Sequence, residues 1–354
     1  MKVAVAGGGT AGHIEPAMNV ADALAERDIE VVALGTERGL EQSLVPARGF
    51  RLRNIPPVPM PRKLSLDLFT VPWRLRAAVT QCSAILVQEG VNVVVGFGGY
   101  VSLPAYLGAR RLNIPVVVHE ANAKPGLANR IGALFASAVF DTVPGSMRTG
   151  QTVGIPVRAA IRDLNRQQLR DEALQYFGLA ADRPTLLVFG GSQGARRLND
   201  MVVAFAADLI AEGWQVLHSV GAKNEDQAVT DLPHYQAVPY IDRMDLAYAL
   251  ADAAVTRAGA MTVAELASVG IPSIFVPLPI GNGEQRLNAQ AIVRAGGGFI
   301  IDDATCTPEL LIETFAPWRD ETSRWNAALA AKSVASVDAA EAIVEVVQRL
   351  GGAA

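Results

Sequence analysis

Short apolar runs without strict alternation recur along the chain between stretches whose apolar positions return every three or four residues. Before residue 150 they are KVAVAG, EVVALG, VNVVVGF, IPVVVHE and AVFDTV; after it, TLLVFGG, WQVLHSV, YQAVPY, AAVTRAG and PSIFVPL. Runs of valine, isoleucine and leucine with no polar side suit strands covered on both faces, as in a parallel sheet, and the intervening helical stretches suit its crossovers. The predicted class is α/β.

The two halves open alike. VAVAGGGTAGHIEPAMNVADAL and LLVFGGSQGARRLNDMVVAF each run a strand into a glycine turn and then a helix, which predicts two Rossmann-like, doubly wound domains. A chain of 354 residues also suggests two, since single cores rarely grow past about 250–300 residues. The join is predicted near VGIPVRAAIR, residues 153–162, and the closing SVASVDAAEAIVEVVQRLGG predicts a helix that ends in glycine.

Composition narrows the partners. Half of the residues are hydrophobic, 19% are charged and the net charge is -4, a globular balance that argues against a nucleic-acid partner. Cys82 and Cys306 are too few for a disulfide framework and lack C-x-x-C spacing, so a reducing, cytoplasmic setting is expected. The apolar run in MKVAVAGGGTAGH is too short for a signal peptide, and no window supplies the roughly 18 apolar residues of a membrane span. One region is lopsided: Arg48, Arg51, Arg53, Arg62, Lys63, Arg74 and Arg76 face a single acid, Asp67, with Leu64, Leu66, Leu68, Phe69, Val71 and Trp73 interleaved. That composition fits a surface resting on anionic lipid or a solvated helix with a core face.

Several residues could carry chemistry. Gly7, Gly9 and Gly12 fit G-x-G-x-x-G after a strand, a spacing that lets backbone N–H groups approach a diphosphate at a helix N-terminus. A nicotinamide site would want an acid closing the second strand, and EVVALG ends in glycine and threonine before Glu37; a turn needed only for helix packing also fits. The second turn, GGSQGA from Gly190 to Ala195, adds Ser192 and Gln193, and two such turns suit a nucleotide diphosphate better than packing. His13 begins the first helix, where the positive helix end favours neutral imidazole; it is a general base or a polar cap. His119 closes VVVHE, ahead of Glu120 and Asn122, and is read as a hydrogen-bonded core histidine. His218 and His234 belong to no constellation. Thr262 and Glu265 share a helix face, with glycine and alanine before them and a polar GNGEQ a strand later. No D-x-D triplet or metal-spaced histidine cluster occurs, so no metal ion or other cofactor is expected, and leaving-group charge would fall to helix ends and backbone donors.

GGGTAGHIEPA, GFGGYVSLPA, IPVVVHEAN, VGIPVR, GGSQGARRLN, YIDRM, RAGAMTVAEL and NGEQRLNA follow one another nearly end to end. This ordered set resembles the MurG family of peptidoglycan glycosyltransferases, which move N-acetylglucosamine from a UDP donor onto lipid I to make lipid II. The resemblance implies a GT-B fold, two Rossmann-like domains facing a cleft. Residues 1–157 would form an acceptor-binding, membrane-associating domain, 158–335 a UDP-sugar-binding domain, and 336–354 a helix crossing back to the first. It further implies a hexosyltransferase of cell wall biogenesis, serving cell shape and division, that sits peripherally on the cytoplasmic face of the cell membrane. Residues 48–76 would then meet anionic lipid.

By the same resemblance Ser192 lies at the donor phosphates, Tyr240 and Ile241 near the uracil, and Glu265 on the ribose hydroxyls. Ala260, Met261 and Thr262, with Val263 and Ala264 behind them, present a helix N-terminus to the diphosphate. Gln285 and Asn122 hold sugar hydroxyls, and Arg158 meets the donor as the cleft closes. On the acceptor side stand Thr10, Ala11 and Gly12, with Gly98, Gly99, Tyr100 and Ser102 as a second glycine-rich wall near the lipid diphosphate. His13 is the expected base for the acceptor 4-hydroxyl, whose attack opposite UDP would invert the anomeric carbon and give a β(1→4) bond. Two departures from the family pattern stand out. Ala11 replaces a frequent glycine where backbone approaches phosphate, and Glu284 replaces the first of two frequent glutamines. Two other readings are a UDP-sugar epimerase of the same fold, which needs no lipid acceptor, and a binding-only component of an envelope or division assembly, which needs no His13.

Overall fold

The computed structural model describes residues 1–58, 70–191, 194–227, 231–279, 283–336 and 339–352. It separates into two compact units, Met1–Val157 with Asp338–Ala354, and Arg158–Val337.

In the first unit β1 (Lys2–Gly7), β2 (Glu30–Gly35), β3 (Arg51–Asn54), β4 (Val93–Gly98), β5 (Val116–Glu120), β6 (Ala138–Asp141) and β7 (Gln151–Thr152) form one sheet in the order β3-β2-β1-β4-β5-β6-β7. Each described pairing is parallel, with Val5 facing Ala33 on one side and Val95 on the other. The central strands are valine-rich and buried throughout because helices cover both faces. The helix Ala339–Gly351 belongs to this unit. Ala340, Ile343, Val344 and Val347 line its buried side against Val3, Val5 and Val93, while Arg27 pairs with Glu341 and donates to Gln348 Oε1 at 3.2 Å.

The short strand β3 lies in the basic region and carries RLRN, a sequence that reads as loop because two of its four side chains are charged. An edge strand can keep such side chains: Arg51, Arg53 and Lys2 converge on the buried carboxylate of Glu89. Arg48 likewise pairs with Glu15 and Asp22. Three bases of this region are thus matched by acids that lie outside it in sequence. Farther on, the helix Val71–Glu89 buries Val71 and Ala78 against Val58 but leaves Trp73 73% exposed beside exposed Arg74 and Arg76. Arg62, Lys63, Leu64, Leu66, Asp67, Leu68 and Phe69 lie outside the described residues.

In the second unit β8 (Thr185–Phe189), β9 (Gln215–Ser219), β10 (Tyr235–Val238), β11 (Ala251–Thr256), β12 (Ser273–Phe275) and β13 (Gly298–Ile300) form a parallel sheet ordered β10-β9-β8-β11-β12-β13. Val188 is flanked by His218 and Val255. His218 is a core residue: its Nε2 donates to Asn199 Oδ1 at 3.1 Å and its Nδ1 accepts from the Tyr235 hydroxyl. Burial pulls its pKa down to about 4, so it stays neutral in a fully bonded pocket.

Strand order reverses between β1 and β4 in one unit and between β8 and β11 in the other. In doubly wound sheets that reversal opens a crevice at the carboxyl ends of the strands, where ligands bind.

Ile343 is fully buried in the first unit's core. Ile343→Ala should destabilise that unit by about 3 kcal/mol, read as an earlier urea midpoint with an unchanged slope.

Candidate functional site

At the carboxyl ends of β8 and β9 a cavity of about 130 Å³ is lined by Phe189, Gly191, Ser219, Tyr240, Ile241, Met244, Tyr248 and Glu265. Its entrance turn depends on glycine: a β-carbon at Gly190 would stand 2.4 Å from that of Ala195, and Gly191 and Gly194 hold φ of +87° and +69°. Ser192 and Gln193, within this turn, lie outside the described residues.

Glu265 reaches the cavity from the helix that follows β11. The chain leaves Thr256, turns through Gly259 and enters the helix Ala260–Val269, whose first turn has no side-chain cap. Its leading N–H groups and the positive end of the helix dipole are thus available to an anion. Ala260, Met261 and Thr262 form that first turn, half-buried, while Val263 turns its side chain into the core and Ala264 stays half-buried. Glu265, one turn on, is half-buried at the cavity and accepts a hydrogen bond of 2.8 Å from the Tyr248 hydroxyl. Arg158, at the start of this unit, is half-buried and its charge acts on the same phenol.

Gln285 ties two strand ends together. Its Oε1 accepts from the N–H of Ala258, after β11, at 3.2 Å and from Leu278, after β12, at 2.9 Å. With the oxygen so used, the side-chain amide is oriented as a donor. Arg257, which sequence reasoning passed over, donates to the Val276 carbonyl at 3.0 Å and pairs with Asp303.

The first unit holds a second constellation, where β1 and β4 diverge. Gly99, with φ of +79°, comes so close to the first turn that a β-carbon there would stand 2.2 Å from the Gly8 carbonyl oxygen. Gly98, at φ +96°, lies against His13, its missing β-carbon 3.2 Å from Nε2. Tyr100 covers Gly9, where a β-carbon would meet the ring at 2.6 Å. Thr10 stands at the N-cap of the helix Ala11–Ala25 but turns its Oγ1 to His13 Nδ1, 3.1 Å away, so Ala11 and Gly12 open a helix without a side-chain cap.

His13 is half-buried. Desolvation lowers its pKa, opposed in part by the Glu120 carboxylate and the Gly8 carbonyl, so the ring is neutral at neutral pH. Glu120 is itself buried: Oε1 accepts from the N–H of Asn122 at 2.9 Å and its amide at 3.3 Å, and Oε2 accepts from Gly126 N–H at 3.0 Å and Asn129 Nδ2 at 2.9 Å. Asn129 in turn accepts from the fully buried Tyr106 at 2.8 Å. His119 is a core histidine, its Nε2 2.7 Å from the Gly154 carbonyl and its pKa brought down to about 4 by burial.

Two readings change here. Ser102 does not present its hydroxyl to a ligand: it is fully buried, accepting from Gly98 N–H at 3.0 Å and lying 2.7 Å from the carbonyls of Ala6 and Gly98. It holds the shape of the glycine wall from behind. The first glycine turn is also less open to a diphosphate than its spacing suggests, because fully buried Glu41 accepts from Gly9 N–H at 3.3 Å and from both the N–H and hydroxyl of Thr36 at 2.9 and 2.8 Å. Glu41 and Tyr248 carry no local signal, whereas Glu120 is marked by its place at the end of VVVHE and bonds to Asn122, Gly126 and Asn129 just after it in the chain. Among the described residues no group of three metal-ligating side chains converges, and no helix is long and apolar enough to cross a membrane.

Two parallel α/β units, each with glycine turns at its switch point, define the GT-B class of glycosyltransferase fold. Residues 3–141 match the glycosyltransferase family 28 N-terminal domain and residues 185–347 the family 28 C-terminal domain. A UDP-N-acetylglucosamine–N-acetylmuramyl-(pentapeptide) pyrophosphoryl-undecaprenol N-acetylglucosamine transferase of Mycobacterium sp. (strain KMS) is 56% identical over 92% of this chain and 88% of its own length. The crystal structure of Acinetobacter baumannii MurG matches with a TM-score of 0.79 at 29% identity, covering 98% of this chain and 99% of that one. The chain belongs to glycosyltransferase family 28 and, at this level of identity, to the MurG family within it. A UDP-GlcNAc 2-epimerase from Neisseria meningitidis, solved with UDP-GlcNAc, has a TM-score of 0.71 over 99% of this chain and all of its own, but only 14% identity, a likeness of fold alone.

The close approach at Gly99 gives a direct test. Gly99→Ala meets both a left-handed φ and the Gly8 carbonyl and should lower stability by about 3 kcal/mol, whereas Gly90→Ala, at φ +64° with nothing within 4 Å, should cost about 1 kcal/mol. Equal losses in paired denaturation curves would mean that contact with Gly8 does not matter.

Proposed function

We propose that this chain transfers N-acetylglucosamine from UDP-N-acetylglucosamine to the 4-hydroxyl of the N-acetylmuramyl group of lipid I, making lipid II for the cell wall. The observation that carries this reading is the 56% identity, sustained over 92% of the chain, to a transferase named for that reaction.

The second unit is the donor site. Tyr240 and Ile241 flank the uracil at the cavity, Glu265 accepts the ribose hydroxyls, and the uncapped turn Ala260–Thr262, with Ser192 from the glycine turn, meets the diphosphate. As the glycosidic bond to UDP breaks, charge grows on the β-phosphate, and helix N–H groups aimed there bind the transition state better than the ground state. Gln285 and Asn122 hold sugar hydroxyls, and Arg158 adds positive charge to the departing UDP.

The first unit is the acceptor site, with Thr10, Ala11, Gly12 and the wall Gly98–Tyr100. Neutral His13 takes the proton of the 4-hydroxyl as its oxygen attacks the anomeric carbon from the face opposite UDP, inverting that centre. The Glu120 carboxylate, whose field favours imidazolium, stabilises the charge His13 gains. Trp73, Arg74 and Arg76 form the part of the basic region that rests on anionic lipid, keeping the enzyme peripheral on the cytoplasmic face of the cell membrane.

The deciding experiment follows radiolabelled N-acetylglucosamine from its UDP donor with and without a lipid I analogue; donor turnover that ignores the acceptor would indicate an epimerase or hydrolase. His13→Ala should reduce turnover by about 10²–10⁴ while UDP affinity stays within a few-fold. Protonated His13 cannot accept a proton, so kcat/KM should fall as pH drops through its lowered pKa, below 6.5. Glu120→Gln removes a field that raises that pKa and should move the acid limb to still lower pH. A limb that moves up, or does not move, would remove Glu120 from this role. Trp73→Ala should weaken sedimentation with phosphatidylglycerol vesicles several-fold, and added salt should weaken it for both proteins.

A further inference from the structure

We propose that Tyr248 is a positioning residue that holds the Glu265 carboxylate in the one orientation able to read a ribose, and so makes the donor site selective for ribonucleotides over 2′-deoxyribonucleotides. The inference rests on the reading of Glu265 as the ribose acceptor.

Tyr248 lies in the helix Met244–Leu250, on different secondary structure from Glu265. It is fully buried, packs edge-on to Phe189 with ring centroids 6.3 Å apart, and lines the same cavity. Its hydroxyl donates to Glu265 Oε2 at 2.8 Å. Burial, then the charge and hydrogen bond of Glu265, push the phenol pKa well up, so the proton stays on the phenol and the bond can run only from Tyr248 to the carboxylate.

Three consequences follow for Glu265. A hydrogen bond to the charged form keeps the carboxylate ionised in a half-buried place. It also fixes a side chain with several rotatable bonds, which would otherwise lose that freedom when ligand binds. Finally, it sets the plane of the group: the phenol engages Oε2, and the direction of that bond fixes how the carboxylate faces a pair of vicinal hydroxyls. A 2′-deoxyribose offers one hydroxyl to a group set for two, which leaves a desolvated acceptor without its donor. The fold itself carries no such discrimination; it depends on the orientation of one carboxylate, and the phenol sets that orientation.

The test is calorimetric binding of UDP and 2′-deoxy-UDP, with donor kinetics alongside, on the full-length wild type, Tyr248→Phe, Glu265→Ala and the double variant. Tyr248→Phe keeps the ring and its packing on Phe189 and loses only the hydroxyl. It should weaken UDP about tenfold, raise donor KM with kcat within about twofold, and shrink the preference for UDP over 2′-deoxy-UDP several-fold. Adding Tyr248→Phe to Glu265→Ala should then change nothing further, since the two act through one bond. A merely structural phenol would lower the melting temperature and leave the nucleotide preference intact, and that result overturns the proposal. If Glu265→Ala itself keeps the wild-type preference, the assignment of Glu265 to the ribose fails instead. If Glu265→Ala abolishes the preference while Tyr248→Phe keeps it, only the role of Tyr248 is lost.

Discussion

Where a parallel strand ends, the N–H groups of the following turn point forward with no neighbouring strand to accept them, and burial of an unpaired N–H is costly. This chain meets that constraint with acceptors of its own at most of the turns that shape its site. Glu41 serves the turn after β1, Glu120 the loop after β5, and the Gln285 carboxamide the turns after β11 and β12. Ser102 does the same for Gly98 at the end of β4. The first turn of the helix Ala260–Val269, like that of Ala11–Ala25, is left without a side-chain cap.

The same logic explains how two glycine-rich turns can differ in use. Glycine permits close backbone approach, but what approaches is decided by tertiary structure. At Gly9 the neighbours are the Glu41 carboxylate and the Tyr100 ring; at Gly191 an added β-carbon would meet nothing within 4 Å. Polar groups around His13 divide in the same way. Desolvation holds the ring neutral while the nearby Glu120 carboxylate favours its protonated form, so the two influences on the ring oppose each other.

Much of the fold was legible from pattern alone. Apolar runs without strict alternation announced β1, β2, β4, β5, β8 and β9, because strands covered on both faces have no consistently polar side to disguise them. RLRN at β3 and the short GFI of β13 were not legible, the first because an edge strand tolerates charge, the second because three residues carry no period. Residues of the candidate site were legible where residue type and local geometry coincide: His13 after its glycine turn, Glu265 on the first helical turns after Gly259. Glu41 and Tyr248 were not, since Gly9 and Glu265, the partners they meet, lie on other elements of the fold. Ser102 was expected as part of the glycine wall and stands there, but the motif alone does not reveal that its hydroxyl bonds the wall's own backbone.

The carboxylate of Glu41 also bears on how a duplicated scaffold becomes asymmetric. Two similar sheets offer two similar crevices. By accepting from the Gly9 N–H, Glu41 uses up a backbone donor that a glycine turn otherwise leaves to a ligand, so halves that look alike in sequence differ in what their first turns can hold.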